Sequence, residues 1–322
     1  MTELSRFLDP SAARAFSGQR VLVTGGSGFL GRHLATQGVT AGAEVHCLGR
    51  TPGPDGSFFH RADLSDRDAV RAAVAEIAPT TIIHCASPGV AFGTADYLEM
   101  VTTLTLGAEA LLSACVELPS LEHFVHVGTG FEYASQDRPI TEADPLVPSA
   151  TSYGAAKAAA SAVVGGFAGQ MPVTIARPFN IYGAGDSAPR LGSFIIKQAL
   201  AGKRVETSEG KQLRDFLHVD DCARLLWQIA AAPGTANSFS VLNLGSGQPL
   251  RLREYIEAIA AALGAAGHPA ELAFGAVPYR PGEPMIAVPD LTRLQRSLAW
   301  QPQVGFAEGI AEFVEWSIAQ CA

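Results

Sequence analysis

The stretch VLVTGGSGFLGRHL, residues 21–34, opens on an apolar, largely β-branched run and passes through a glycine-rich turn into helical periodicity. In such a strand–turn–helix unit, Gly25 permits the tight turn, Gly28 lets the backbone approach a phosphate, and Gly31 lets helix and strand pack closely. The free N–H groups and the positive dipole end of the helix then face an anion. The stretch therefore predicts a site for the pyrophosphate of a dinucleotide.

The rest of the chain alternates between short apolar strands and longer helical patterns. Strands are predicted near residues 44–48, 58–60, 81–84, 124–127 and 173–176, and helices near 66–78, 95–117 and from 153 onward. This alternation predicts an α/β fold, a Rossmann-type doubly wound parallel sheet with right-handed crossovers. Past Pro178 the alternation loosens, which indicates a smaller, mostly C-terminal α/β substrate domain.

The chain is expected to divide into three parts. Residues 1–19 form an N-terminal extension, where Leu4, Phe7 and Leu8 have the spacing of a short docked helix. The dinucleotide-binding domain takes residues 20–178 and about 215–246. The substrate domain takes about 179–214 and 247–322.

Composition restricts the class of partner. The 322 residues are 48% hydrophobic and carry a formal net charge of −8, so we expect no nucleic acid and no membrane surface as a partner. An anionic ligand would need specific arginines. The five cysteines are scattered without a C-x-x-C pair or a metal-ligand spacing, which predicts reduced thiols and no metal site. With no visible signal peptide and no apolar run of the ~18 residues that a membrane span needs, we expect a cytoplasmic protein.

Three residues have the spacing of acid–base chemistry. Tyr153 and Lys157 are four residues apart at the start of a helix, so their side chains share one face. A lysine ammonium and an oxidised nicotinamide would lower the tyrosine pKa from about 10. Thr129, in HFVHVGTGFEYA (residues 123–134), follows a strand directly and could hydrogen-bond a substrate oxygen held between itself and Tyr153. The alternatives are a surface pair on a helix and a threonine that stabilises a turn.

From about Arg20 to Trp316 the chain resembles an extended short-chain dehydrogenase/reductase of the NAD(P)-dependent nucleotide-sugar epimerase/dehydratase/reductase family. The resemblance rests on linked motifs in the family's order. These are TGGSGFLG (24–31), Asp63-Leu64, HCAS (84–87), Thr129 with Tyr133, SYGAAK (152–157), ARPFNIYG (176–183), LRDFLHVDD (213–221), NLGSG (243–247) and RPGEP (280–284).

The resemblance implies a role for each matched position. The catalytic residues would be Thr129, Tyr153 and Lys157. The cofactor would be bound by Gly25, Ser27, Gly28, Phe29, Leu30, Gly31, Arg32, Arg50, Asp63, Leu64, Ala86, Ser87, Tyr153, Lys157, Pro178 and Phe179. A nucleotide-diphosphate sugar would be bound by Ser87, Phe131, Asn180, Arg214 and Arg280. Paired arginines suit a diphosphate, although each can instead be a solvated ion-pair partner, which is the favoured interpretation for Arg190. Members often form homodimers through the two long helices, and we expect a homodimer here.

The chain departs from the family pattern where the second strand ends. Family members that use NAD carry an acidic residue there for the adenosine ribose, whereas this chain has Gly49 and Arg50. The change removes repulsion toward a 2′-phosphate, and Arg50 and Arg32 could bind that phosphate. The sequence therefore favours NADP(H), with NAD(H) as the alternative if Arg50 is merely solvated.

Two further departures concern the reaction. Dehydratases of the family place an acidic pair directly after the active threonine, but Gly130 and Phe131 stand there and Glu132 is shifted by one residue. Elimination of water needs an acid and a base aimed at specific atoms, so dehydration is disfavoured. In addition, Leu104 replaces an asparagine that often stands three residues before Gly107, which puts the usual kink of the long helix in doubt.

The sequence thus favours one reaction over two alternatives. It predicts NADPH-dependent reduction of a nucleotide-linked keto-sugar, most specifically an NDP-4-keto-6-deoxyhexose, with the proton supplied by Tyr153. The enzymatic alternative is an NAD-dependent nucleotide-sugar 4-epimerase that uses the same three residues. A non-catalytic dinucleotide-binding regulator is the distant third.

Overall fold

The computed structural model describes residues 16–88, 96–146, 151–186, 189–232 and 238–321. Most of the predicted N-terminal extension, including Leu4, Phe7 and Leu8, lies outside these ranges. The strands are β1 Arg20–Thr24, β2 Glu44–Gly49, β3 Phe58–Arg61, β4 Thr81–His84, β5 His123–Val127, β6 Val173–Pro178, β7 Asn180–Tyr182, β8 Val205–Thr207, β9 Leu213–His218, β10 Phe239–Leu244, β11 Pro249–Arg251, β12 Leu272–Phe274 and β13 Ile286–Ala287. The helices are α1 Phe29–Thr40, α2 Arg67–Ile77, α3 Tyr97–Val101, α4 Gly107–Val116, α5 Ser152–Gly166, α6 Leu191–Leu200, α7 Val219–Ala231, α8 Leu252–Ala265, α9 Thr292–Ser297 and α10 Phe306–Cys321.

Seven strands form one parallel sheet in the order β10-β6-β5-β4-β1-β2-β3. The chain moves outward from β1 in one direction through β2 and β3, and in the other through β4, β5, β6 and β10. The point of reversal therefore lies between β1 and β4, and a ligand of a doubly wound sheet binds outside the carboxyl ends of the strands at such a point. The predicted Rossmann-type sheet is confirmed.

Helices cover both faces of this sheet. On one face α1 packs against α7, and the indole of Trp227 donates a hydrogen bond to the Leu34 carbonyl over 3.0 Å. Gly38 makes this approach possible, because a Cβ there would run into the Trp227 ring. On the other face, α2, α4 and α5 bury a second apolar cluster that includes Val74, Leu111 and Val164.

The long helix that was expected near 95–117 contains a π-helical turn. Residues Thr102–Leu106 are π-helical between α3 and α4, so the helix is distorted there although Leu104 replaces the usual asparagine. By length and composition alone, Tyr97–Val116 is apolar enough to cross a membrane, with a mean hydropathy of 1.3. Helices in the core of a soluble protein can have the same length and hydropathy. In this helix, 56% of the most apolar 18-residue stretch is buried inside the protein.

A smaller unit, mostly C-terminal, lies beside the carboxyl ends of the large sheet. Its apolar cluster unites α6, α8 and α10 around Ile195, Ile259 and Phe313. Strand β9 pairs with β7, β11 and β13, while β8 pairs with β12. This arrangement confirms the predicted second α/β unit and leaves a deep cavity between it and the sheet.

Candidate active site

The glycine-rich turn is fixed by contacts that exclude side chains. Gly25 has φ +72°, which glycine adopts without strain, and an added Cβ would lie 2.7 Å from the Ala86 Cα. A Cβ on Gly31 would collide with the Gly25 carbonyl. Helix α1 begins after Gly28 with no side-chain cap and no acidic residue in its first turn. The N–H groups at the start of this helix therefore face the cavity, as a bound pyrophosphate requires.

A cavity of about 1200 Å³ runs from this turn to the smaller unit. The predicted site residues in its lining are Gly25, Ser27, Gly28, Phe29, Leu30, Gly31, Arg50, Asp63, Leu64, Ala86, Ser87, Thr129, Phe131, Tyr153, Lys157, Pro178, Phe179, Asn180, Arg214 and Arg280. Arg32 instead lines a cavity of about 350 Å³ directly beside it. The fold thus brings the predicted residues to one continuous site that is large enough for a dinucleotide and a second ligand.

Tyr153 lies in the first turn of α5, facing Thr129 and Ser87. Burial raises the pKa of Tyr153 to about 12, while the hydroxyls of Ser87 and Thr129 and the charge of Arg190 act in the opposite direction. The Ser87 Oγ is close enough for this effect but has no well-formed hydrogen bond within the described ranges. That buried oxygen therefore has hydrogen-bonding capacity left for a ligand beside Tyr153.

Lys157 lies one turn further along α5 and is buried. Its ammonium group donates a hydrogen bond of 2.8 Å to the Val127 carbonyl at the end of β5. Burial lowers the pKa of Lys157 to about 8, against the charge of Glu132, which raises it. His84 and His126 lie nearby on β4 and β5, and burial lowers the pKa of His84 to about 3.

Thr129 caps a short 3₁₀ turn, Gly130–Glu132, that follows β5. Its hydroxyl accepts the Phe131 N–H over 3.3 Å, so the turn-stabilising role weighed from sequence is present. The Glu132 carboxylate accepts the Thr129 N–H over 2.8 Å and pairs with the Arg177 guanidinium over 2.8 Å. Glu132 therefore points into the protein, away from the cavity.

At the far end of the cavity the polar side chains contact one another. Arg214 donates a hydrogen bond of 2.7 Å to the Glu283 carboxylate. The Asn180 amide donates over 3.0 Å to the Asp215 carbonyl. Arg280 lines the same end. Arg214 and Asn180, two of the five residues predicted to bind the sugar nucleotide, thus already contact other protein groups.

At the adenosine end, the groups beyond β2 are basic. Arg50 is exposed and faces the cavity. Hydrogen bonds from Ser65 lower the pKa of Asp63, and the charge of Arg50 lowers it further. The Arg32 guanidinium donates over 3.1 Å to the Ser27 carbonyl. These contacts form an anion-compatible surface beside the place where the ribose of a dinucleotide would lie.

Arg190 belongs to the cavity lining, although the sequence favoured a simple ion-pair role for it. Its guanidinium donates over 2.6 Å to the Ile181 carbonyl, pairs with Asp186 over 3.2 Å and stacks on the Phe29 ring at 4.9 Å. Among the charged groups that shift the pKa of Tyr153, Arg190 has the largest effect and lowers that pKa. Only tertiary contact reveals this, because Arg190 is 37 residues away in the sequence.

The family model of the NAD dependent epimerase/dehydratase family matches residues 21–245, which include the glycine turn and the Thr129, Tyr153 and Lys157 set. The chain belongs to this family. The resemblance drawn from the sequence is therefore confirmed, and the protein is an enzyme of the extended short-chain dehydrogenase/reductase type.

Curated relatives fall into two reaction classes. A dTDP-glucose 4,6-dehydratase of Xanthomonas campestris is 28% identical and aligns over 92% of each chain. A dTDP-glucose 4,6-dehydratase of Streptomyces niveus is 30% identical, again over 92% of each chain. A probable UDP-glucuronate 4-epimerase of Rhizobium meliloti is 27% identical over 92% of this chain and 96% of the relative.

Solved structures of the family have the same architecture. MoeE5 in complex with UDP-glucuronic acid and NAD is 29% identical, with a TM-score of 0.79 over 94% of this chain and 99% of MoeE5. The UDP-glucose 4-epimerase of Thermus thermophilus, in complex with NAD, is 28% identical, with a TM-score of 0.80 over 93% and 99% of the two chains. Both of these similar structures contain NAD.

Proposed function

We propose that this enzyme uses NADPH to reduce a nucleotide-linked keto-sugar, most specifically an NDP-4-keto-6-deoxyhexose at C4. The observation that carries the proposal is the end of β2, where Gly49 and Arg50 replace the carboxylate that would bind the ribose of NAD. Arg50 faces the cavity and Arg32 lies beside it. A cofactor that carries a 2′-phosphate is suited to delivering hydride in a net reduction rather than cycling it.

The residues around the keto oxygen have separable tasks. Bound NADPH supplies the hydride. Tyr153 donates the proton to the keto oxygen, and the Thr129 hydroxyl stabilises the negative charge that develops there. Lys157 holds the nicotinamide ribose and adds positive charge near the Tyr153 hydroxyl. The N–H groups at the start of α1 hold the pyrophosphate.

Dehydration, the activity named for several relatives, is not part of the proposal. Gly130 and Phe131 follow Thr129 and offer no acid or base to the cavity. Glu132, the nearest carboxylate in the sequence, is fully buried and paired with Arg177. An elimination step would need a carboxylate that reaches the substrate.

NAD-dependent 4-epimerisation is the second candidate. It is favoured by the similar structures whose complexes contain NAD and a UDP-sugar or NAD alone. In that reaction Tyr153 would take the proton of a sugar hydroxyl and later return it, while the bound cofactor would accept the hydride, give it back to the sugar and stay bound between turnovers. Retention of the cofactor therefore separates the two proposals.

The test compares NADPH and NADH binding to the purified protein and asks whether a dinucleotide co-purifies. We expect freely exchanging NADPH to bind roughly ten- to hundredfold tighter than NADH, the effect of a charge-assisted hydrogen bond. Arg50→Gln should abolish that preference. Arg61→Gln, which removes an exposed arginine from the neighbouring end of β3, should retain it. Tightly retained NAD would instead establish the epimerase.

We also propose a homodimer formed through the long helices. Tyr97, Leu98 and Leu106 are apolar and more than half exposed on the helix that contains the π-helical turn. The neighbouring helix α5 is rich in alanine, which permits close packing. Sedimentation of wild-type protein and of Leu98→Glu should give a dimer and a monomer, respectively.

A further inference from the structure

We propose that Glu132 is a positioning residue for the active site: its buried carboxylate fixes the turn at Thr129 and balances the positive charge of Lys157. The inference builds on the proposed roles of Thr129 and Lys157. It assigns a task to a carboxylate for which the sequence predicted no role.

The hydrogen bonds of Glu132 favour its ionised form. One oxygen accepts the Thr129 N–H over 2.8 Å, and the other accepts the Arg177 Nε–H over 2.8 Å. Both partners are donors with no acceptor capacity at these atoms. Burial raises the pKa of Glu132, whereas the Arg177 charge, the Ser161 hydroxyl and the Thr129 N–H lower it. Two N–H donors, one of them from a guanidinium, stabilise the ionised carboxylate.

Glu132 and Lys157 both hydrogen-bond to the backbone of the segment 127–129. The Lys157 ammonium donates to the Val127 carbonyl over 2.8 Å, and Glu132 accepts from the Thr129 N–H two residues later. Gly128, between them, lies so close to the carboxylate that an added Cβ would collide with a Glu132 oxygen. The place of the Thr129 hydroxyl therefore depends on both charged groups.

Apart from Arg177 and Glu132, the titratable groups around Lys157 are uncharged near neutral pH. Burial lowers the pKa of His84 to about 3 and that of His126 well below 6.5, and it raises the pKa of Cys85 to about 12. Burial likewise raises the pKa of Tyr133 and Tyr153 to about 12. Arg177 adds positive charge on β6. Among these described groups, Glu132 is the anion that keeps Lys157 protonated against its burial.

Removing the negative charge of Glu132 lowers the pKa of Lys157 from about 8, so the ammonium form is lost at a lower pH. A function that needs the ammonium group should then decline earlier as pH rises. A role limited to holding the turn would reduce activity without moving this pH dependence.

The experiment uses the chain's small number of lysines. Besides Lys157 there are Lys197, Lys203 and Lys211, which are all exposed. Protein labelled with ¹³C at the lysine ε-carbon should therefore give four resolvable NMR signals, and Lys157→Arg assigns the one of interest. In wild-type protein we expect Lys157 to titrate near pH 8, well below the exposed lysines.

Glu132→Gln should move the Lys157 titration midpoint at least one pH unit lower, the usual effect of losing a close opposite charge. The alkaline limb of kcat/KM for the keto-sugar should move with it. Glu142→Gln is the matched control: its side chain is 5% exposed and accepts the Asn243 N–H over 2.9 Å. That variant should leave the midpoint unchanged. Glu132→Asp retains the charge and should keep the midpoint near wild type while lowering kcat.

Two results would overturn the inference: a wild-type Lys157 that titrates with the exposed lysines, or a midpoint that Glu132→Gln leaves unchanged. If Glu132→Gln does not fold, Glu132→Asp decides, because a midpoint lowered despite the retained carboxylate contradicts the assignment. The NMR titration needs no sugar substrate. A midpoint that moves as expected in a protein that reduces no keto-sugar therefore refutes the proposed reaction alone.

Discussion

The two ends of the cavity are built from different parts of the chain. At the cofactor end the backbone is held by glycine contacts, with Gly25 against Ala86 and Gly31 against the Gly25 carbonyl. At the far end the surface is formed by long side chains, of which Arg214 already pairs with Glu283. The first end is preformed, whereas under the proposed function the second would exchange a protein ion pair for contacts to its ligand.

This difference has an energetic consequence. A site of backbone N–H groups loses little conformational entropy when a phosphate binds, because the donors are already in place. An arginine that leaves a partly buried carboxylate must replace a charge-assisted hydrogen bond before it contributes to affinity. Changes at the cofactor end should therefore cost more than comparable changes at the far end.

Tyr153→Phe should have the largest effect, because its hydroxyl lies where the two ends meet. Loss of the general acid should reduce kcat by roughly 10²- to 10⁴-fold. Cofactor affinity should remain near wild type, since the ring still fills its place. Tyr97→Phe, which alters an exposed tyrosine outside the cavity, should leave both parameters unchanged. Near-wild-type turnover in the Tyr153 variant would contradict the proposed mechanism.

Gly31→Ala should have the next largest effect. The added methyl meets the Gly25 carbonyl, and overpacking of this kind costs about 1–3 kcal/mol of folding stability. Because the turn must shift to accept the methyl, NADPH affinity should also fall, by roughly ten- to hundredfold. Gly264→Ala is the control, because a Cβ on that helical glycine has no atom within 4 Å. It should leave affinity unchanged and raise Tm slightly. Equal affinity of Gly31→Ala and wild type by fluorescence titration would remove the distinction between the two ends.

The sequence predicted individual strands and helices as far as Pro178 and none beyond it. The strand expected at 81–84 matches β4, and the helix expected at 66–78 matches Arg67–Ile77. Strands β8, β11, β12 and β13 have two or three residues, so they show no periodicity to recognise. They exist because the smaller unit packs around them.

The same division holds for the site. Gly25 and Gly31 could be predicted because only glycine fits their backbone contacts. The shared face of Tyr153 and Lys157 could be predicted from their helical spacing. Arg190 and the inward orientation of Glu132 were not predictable, because each depends on partners far away in the sequence, Phe29 for the first and Arg177 for the second. The sequence shows that Glu132 stands three residues after Thr129, but it carries no information on the direction in which the Glu132 side chain points.

Arg214→Lys should have the smallest effect and tests the far end directly. Lysine keeps the charge but loses the planar fork that binds a phosphate in two places. Because Arg214 must first leave Glu283, the net loss should be near 1 kcal/mol, roughly fivefold weaker binding of UDP or TDP by calorimetry. Arg253→Lys changes a partly exposed arginine that stacks on Phe274; it is the control and should bind like wild type. A loss as large as that of Gly31→Ala would mean that Arg214 is as fully preorganised as the glycine turn, and the contrast between the two ends would fail.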